Sequence, residues 1–304
     1  MSNTQSQTTP QPAAPAAPAA APGVDKIAFQ FVRDLASSLS DGSVSLPSYP
    51  QVAMRLEKML TADDSNADQL VRVLNAEPVL AARVITMASS AALNPSGRPI
   101  ADLRTAVVLL GFDALRTTAA AFAMLQVRQA SEFKSIEKQI GQLWQESATR
   151  SAMCFVVARH TGRFSPDTAM LAGILADIGK LYLLARASKY PQLFTDPPTY
   201  NAIVRDWHTS IAQALLESWK TAPEIVAAVV EWTQAVDDQR GAPNLSDVLA
   251  AADLLLTHRH EPEIVQGLVE DFRPLQRLGL KAGCASLLAD SALELDTLRK
   301  ALSN

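Results

Sequence analysis

Three acids stand where acids are costly. Glu146 in "LWQESAT", Asp177 in "GILADIGK" and Asp253 in "LAAADLLL" each interrupt a segment that is otherwise small or apolar. A carboxylate among Leu175, Ile178 and Leu181 loses its hydration on burial, and a partner must offset that loss. Two arrangements do so. If the three acids converge, their oxygens can hold a hard cation such as Mg²⁺ or Mn²⁺. If they do not, each is hydrogen-bonded locally or paired with an arginine or lysine. Lys180, three residues beyond Asp177, can reach it along one helix face. The sequence leaves both arrangements open.

Other reactive groups are few. There are four histidines. His160 precedes Thr161-Gly162 at an expected helix end, where the helix dipole favours it. His258 and His260 are two apart in "THRHEPE", and i,i+2 side chains on a helix do not face each other. His208 in "RDWHTS" is the only histidine placed where it could sit in the interior of the second lobe, and a structural, satisfied or half-exposed role suits it best. Arg83, Arg104 and Arg116 can present guanidinium forks to a phosphate, although solvated or lobe-bridging roles suit them better. The four tryptophans, Trp144, Trp207, Trp219 and Trp232, all fall in the second half and are read as packing residues rather than base-stacking ones. No GxGxxG, GxxxxGK[ST] or GxSxG pattern occurs.

The chain that positions these groups has 304 residues, 48% of them hydrophobic, enough for one or two domains with a real core. A net charge of −4 and a pI near 5.6 disfavour nucleic acid as a partner. Two distant cysteines, Cys154 and Cys284, make neither a disulfide framework nor a zinc site; small buried hydrophobes in a reducing cytoplasm is the simpler reading. No window reaches ~18 uninterrupted apolar residues, so no membrane span is expected. Residues 1–23, rich in Ala and Pro, lack the basic and Leu-type regions of a signal peptide and read as a disordered tail.

From Val24 onward, apolar residues recur at helical spacing and no strand-like alternation appears. Val52, Leu56, Met59 and Leu60 share one helix face after the connector "LPSYP". Ser65 with Asp68 forms a capping-box pattern. Pro78 suits the first turn of a helix. Gly111 suits the left-handed position after "ADLRTAVVLL". "PDTAMLAGILADIGKLYLLA" reads as one helix over 166–185, and two helices are expected between 261 and 302. The polar stretch 128–141 is the natural divide. The fold class is all-α, in two helical lobes over 24–135 and 136–304 after the 1–23 tail.

The order of motifs resembles the HDOD family, the HD-related output domain of bacterial signalling proteins. "LPSYPQVAMRLEKMLTADDSNADQLVRVLNAEPVLAARVITMASSA" is similar to its opening, and "RPIADLRTAVVLLGFDALR" to its next block. "LWQESATRSA" and "AGILADIGKLYLL" resemble its HD-like half. The resemblance runs from about Leu46 to Leu256. It departs from the family pattern at Ser89-Ser90, where Asn-Ser is expected, and in the register of the Pro223 helix. No receiver, GGDEF or EAL domain accompanies it.

The resemblance implies a reading of the acids. Active HD phosphohydrolases use a His, an adjacent His-Asp pair and a distant Asp as metal ligands. Here the first His position matches Glu146, the pair matches Ala176-Asp177 and the last Asp matches Asp253. A further histidine segment falls near Trp232-Thr233. Every imidazole of the pattern is replaced, and an alanine methyl donates nothing to a metal. The resemblance therefore implies a pseudo-enzyme without cofactor. Its role would be an adaptor or regulator for signalling proteins, in a cyclic-di-GMP, chemotaxis or two-component pathway. The alternatives are a cyclic-dinucleotide sensor, or a residual metal-dependent phosphohydrolase built on Glu146, Asp177 and Asp253. Asp177 is best explained as structural, held by hydrogen bonds or Lys180.

Overall fold

A computed structural model describes residues 24–46, 51–60, 66–100, 102–237, 241–280 and 284–303. Among these, the fold is all helical. The first half contains α1 (Val24–Ser40), α2 (Gln51–Leu60), α3 (Ala67–Asn75), α4 (Pro78–Ala88) and α5 (Leu103–Gln129). A 3-10 turn (Ser131–Ile136) leads into α6 (Glu137–Thr161), α7 (Pro166–Leu175) and α8 (Ile178–Ala187). Next come α9 (Pro197–Ser218), α10 (Pro223–Glu231), a 3-10 turn (Trp232–Gln234) and α11 (Leu245–Thr257). The chain ends in four short helices, α12 (Pro262–Leu268), α13 (Arg273–Leu278), α14 (Cys284–Asp290) and α15 (Ala292–Ser303), where two were expected. Gly279, in the left-handed conformation, is one of the stops that subdivide this region.

Several local expectations met the structure differently. The tail 1–23, most of the "LPSYP" connector and Ser65 lie outside the described residues. The N-cap of α3 is Asn66, whose side-chain oxygen accepts from the Gln69 N–H at 3.0 Å. Pro78 does open α4. Gly111 has φ 70° and ψ −179°, a backbone that only glycine enters easily, and it kinks α5 between 103–110 and 112–129.

The most consequential difference is at "LADIG". The expected single helix is broken there, with Asp177 (φ −102°, ψ 12°) as the N-cap of α8. Its carboxylate makes no capping bond. It is directed instead at side chains from other turns, described below. Two glycines flank the break and permit close helix approach. A Cβ on Gly179 would lie 1.9 Å from the carbonyl oxygen of His208 on α9. A Cβ on Gly173 would lie 2.6 Å from Cα of Ser151 on α6. Small residues at these points let α8 and α9, and α6 and α7, pack backbone to backbone.

The long helix α6 is the spine. It is buried along most of its length and packs against α5, α7, α8, α11 and α15. Buried apolar residues from both halves belong to one continuous core, and Phe133, Ile136 and Ile140 of the polar stretch are buried within it. Helix α15 packs on α4, α5 and α6 together. Leu103–Val127 and Pro166–Ala187 are long and apolar enough to cross a membrane by length and composition. Both are mostly buried inside the protein, the second almost wholly, which accounts for their apolar character. Both cysteines are free and buried.

Candidate functional site

Helix α6 carries Ser147 and Arg150 toward the break between α7 and α8. Asp177 lies there with no solvent exposure. Three donors surround its carboxylate. Arg150 Nη1 and Ser147 Oγ both donate to Oδ2, the latter at 3.1 Å. Lys180 Nζ lies 2.8 Å from Oδ1. From the opposite side, α11 brings Asp253, whose Oδ1 accepts from Arg150 Nε at 3.3 Å and Nη2 at 3.1 Å. The guanidinium carbon lies 5.3 Å from the centroid of the Trp232 ring. One arginine thus joins α6, the start of α8, α11 and the turn after α10.

The electrostatics follow from this enclosure. Burial alone would push the Asp177 carboxyl above its ordinary range. Arg150 and Lys180 reverse that and hold it below, so it stays ionised. Burial likewise opposes the charge on Arg150, but Asp177 and Asp253 outweigh it and raise its pKa above the ordinary arginine value. The buried charges are paired and hydrogen-bonded, the condition under which burial is tolerated.

The three acids do not converge. Asp177 and Asp253 share Arg150, while Glu146 is exposed and lines the groove above them. Ala176 is buried beside Asp177 and offers only a methyl. Trp232 is nearly buried and presents its ring to the cation. A divalent metal does not fit this set. The space between the aspartates holds a guanidinium, Lys180 adds a second positive charge, and imidazole is absent from the set. Among the described residues no group of three or more His, Cys, Asp or Glu side chains is placed to hold a metal.

The three arginines considered for phosphate binding are not brought together. Arg83 donates to the Leu302 carbonyl at 3.5 Å, tying α4 to α15. Arg104 pairs with Asp68 of α3. Arg116 pairs with Asp113 at 2.9 Å and donates to the Leu60 carbonyl of α2. These bonds stitch helices to one another. Of the histidines, His208 hydrogen-bonds the Val204 carbonyl at 2.9 Å, and His258 meets Glu261 at 3.2 Å.

Arg150 is the residue that sequence reasoning missed. The signal was present in "SATRSAMCFVVA", a lone basic residue within small and apolar neighbours on a buried helix. Such a residue needs a partner as much as Asp177 does. Its partners, however, are 27 and 103 residues away.

The HDOD domain family model matches residues 46–235, including Glu146, Ala176, Asp177 and Trp232 but ending before Asp253. A structure from Shewanella amazonensis SB2B, provisionally named a metal-dependent phosphohydrolase, aligns with a TM-score of 0.74 at 22% identity, over 91% of this chain and 99% of its own. An HDOD domain protein of unknown function from Geobacter sulfurreducens aligns with a TM-score of 0.63 at 21% identity, over 92% and 98%. A structure from Marinobacter aquaeolei VT8, provisionally named a signal transduction protein, aligns with a TM-score of 0.60 at 19% identity, over 92% and 66%. At these identities the structural likenesses establish the fold. No curated protein matches the chain. The family match spans more than half of the 304 residues, and the chain belongs to the HDOD family.

Proposed function

We propose that this HDOD protein is a non-catalytic signalling module that acts by binding protein partners. The observation that carries the reading is the Arg150 guanidinium paired with both Asp177 and Asp253. In a working HD site those two positions would hold a metal that activates water and clamps phosphate. Here their charge is already neutralised by the protein. A site whose polar groups satisfy one another serves stability better than turnover. Exposed Val108, Leu109 and Phe112, around the kink at Gly111, supply apolar surface consistent with a binding role.

The test is hydrolysis by the full chain of model phosphomonoesters, phosphodiesters and cyclic dinucleotides with Mg²⁺ or Mn²⁺. The expected result is no turnover above that of Asp177→Ala. Metal-dependent turnover that disappears in Asp177→Ala overturns the reading. Affinity capture from the native cells, with and without residues 1–23, then identifies the partners.

A further inference from the structure

Residues 12–18 read "PAAPAAP", with Pro12, Pro15 and Pro18 three positions apart. Polyproline II has three residues per turn, so in that conformation the three rings line one edge. No residue before Asp25 has a charged side chain. Such a segment presents a row of apolar rings together with backbone carbonyls that have no internal partners. The surfaces that take it are grooves lined by aromatic rings, and side-chain amides beside the rings can donate to the free carbonyls.

A groove with that lining lies between α6, α8, α9 and the 3-10 turn Pro191–Thr195, and encloses about 360 Å³. Phe194 and Tyr200 form an aromatic pair in it, with ring centroids 5.2 Å apart and planes tilted by 60°. Leu143 and Val204, both half-buried, extend the apolar surface. Gln142 and Asn201 are exposed there and carry amide N–H donors. Glu146 and Lys180 line the groove as well, but Arg150, Asp177 and Asp253 do not. Connectivity brings groove and segment together. Helix α1 starts at Val24 and packs against α9 and the 3-10 turn, the elements that carry Phe194, Tyr200, Asn201 and Val204. Phe31 meets the Tyr190 ring edge-on at 5.3 Å, and Tyr190 donates to Asp34 at 2.6 Å. Phe31 lies about 10 Å along α1 from Val24. Pro18 and Pro12, ahead of Val24, have reaches of up to about 20 and 40 Å, so the segment spans that distance. A tether of this kind gives an effective concentration in the millimolar range, and a contact of only millimolar intrinsic affinity is then populated. We infer that Pro12–Pro18 docks as a polyproline II helix in the Phe194–Tyr200 groove of its own chain. This contact goes beyond the non-catalytic reading and does not depend on it.

The experiment puts a nitroxide spin label on the full chain at Gln11→Cys and reads side-chain methyl signals by NMR. The two native cysteines are buried, so the introduced thiol takes the label. The methyls of Leu143, Leu184 and Val204 should lose intensity relative to the same sample with the label reduced. Combining Pro12→Gly, Pro15→Gly and Pro18→Gly should restore that intensity. All four substitutions lie before α1. A free peptide of residues 8–22, followed at Val204, should bind the triple-Gly chain with millimolar affinity. It should bind the wild type at least about twofold more weakly, because the tethered segment competes. Four results overturn the inference. They are no loss at the groove, loss at exposed Val108 and Leu109 instead, loss that survives the triple-Gly change, and equal peptide affinity for both chains. Loss that also appears in isotope-labelled, spin-free chains mixed with spin-labelled ones assigns the groove to the tail of a second copy and overturns docking within one chain.

Discussion

The Arg150 guanidinium rests against Trp232, 5.3 Å from ring centroid to guanidinium carbon, while its nitrogens reach Asp177 and Asp253. A desolvated cation over an indole is stabilised by up to about 2 kcal/mol. Trp232→Ala should lower stability by about 3–5 kcal/mol, from lost packing plus the lost ring face. Trp232→Phe should recover most of it. A double-mutant cycle with Arg150→Met, read by urea unfolding, should give a coupling energy of about 0.5–2 kcal/mol. Additive losses would remove Trp232 from the site.

Asp177 should dominate acid sensitivity. Its folded pKa is depressed, so its contribution is fully present above the ordinary carboxylate value and is lost as pH falls through the depressed value. Asp177→Ala leaves Arg150 without its buried partner and should cost about 3–5 kcal/mol at pH 7. Asp253→Asn, at a site with a partly exposed side chain, should cost less. Urea unfolding between pH 3 and 7 tests the order. Equal costs would contradict the burial difference.

Asp167 has the opposite sign. One of its carboxylate oxygens is buried without a hydrogen-bond partner among the described residues. Burial first, then the nearby Asp113, pushes its pKa up. The folded state therefore binds this proton more tightly than the unfolded state. Stability is greatest below the ordinary carboxylate value and falls as pH rises through the raised one. Asp167→Asn should stabilise the protein at pH 7 by on the order of 1 kcal/mol and flatten that pH dependence. A loss of stability at pH 7 would show that Asp167 has a charged partner.

Gly179 is set by backbone contact rather than by turn geometry. Its added methyl would meet the His208 carbonyl at 1.9 Å, and backbone cannot step aside as a side chain can. Gly179→Ala should destabilise by at least about 3 kcal/mol or displace α8 from α9. The same change at Gly141, where nothing lies within 4 Å, should gain about 0.5–1 kcal/mol from helix propensity. Thermal melts of the two variants should move in opposite directions.

Much of this protein is legible in the chain. Helical spacing announced the all-α class, Pro78 marked a helix start, and Gly111 was legible as a positive-φ helix end, where the structure has a kink within α5. The awkwardness of Asp177 was visible because a carboxylate among leucines needs a partner whatever the fold. Lys180 was visible as one such partner because i,i+3 geometry is local. The break at Ala176-Asp177 was hidden because the surrounding run is uniformly apolar and has no proline to stop it.

What the tertiary structure alone decided is which cation answers which acid. Periodicity along one helix carries no information about a side chain on another. Asp177 and Arg150 are 27 residues apart, and Arg150 and Asp253 are 103 apart. Only the packing of α6 against α7 and α11, close where Gly173 meets Ser151, places a guanidinium between the two aspartates. The sequence by itself determined that an acid buried at Asp177 would need a partner. The fold determined that the partner's charge comes from Arg150.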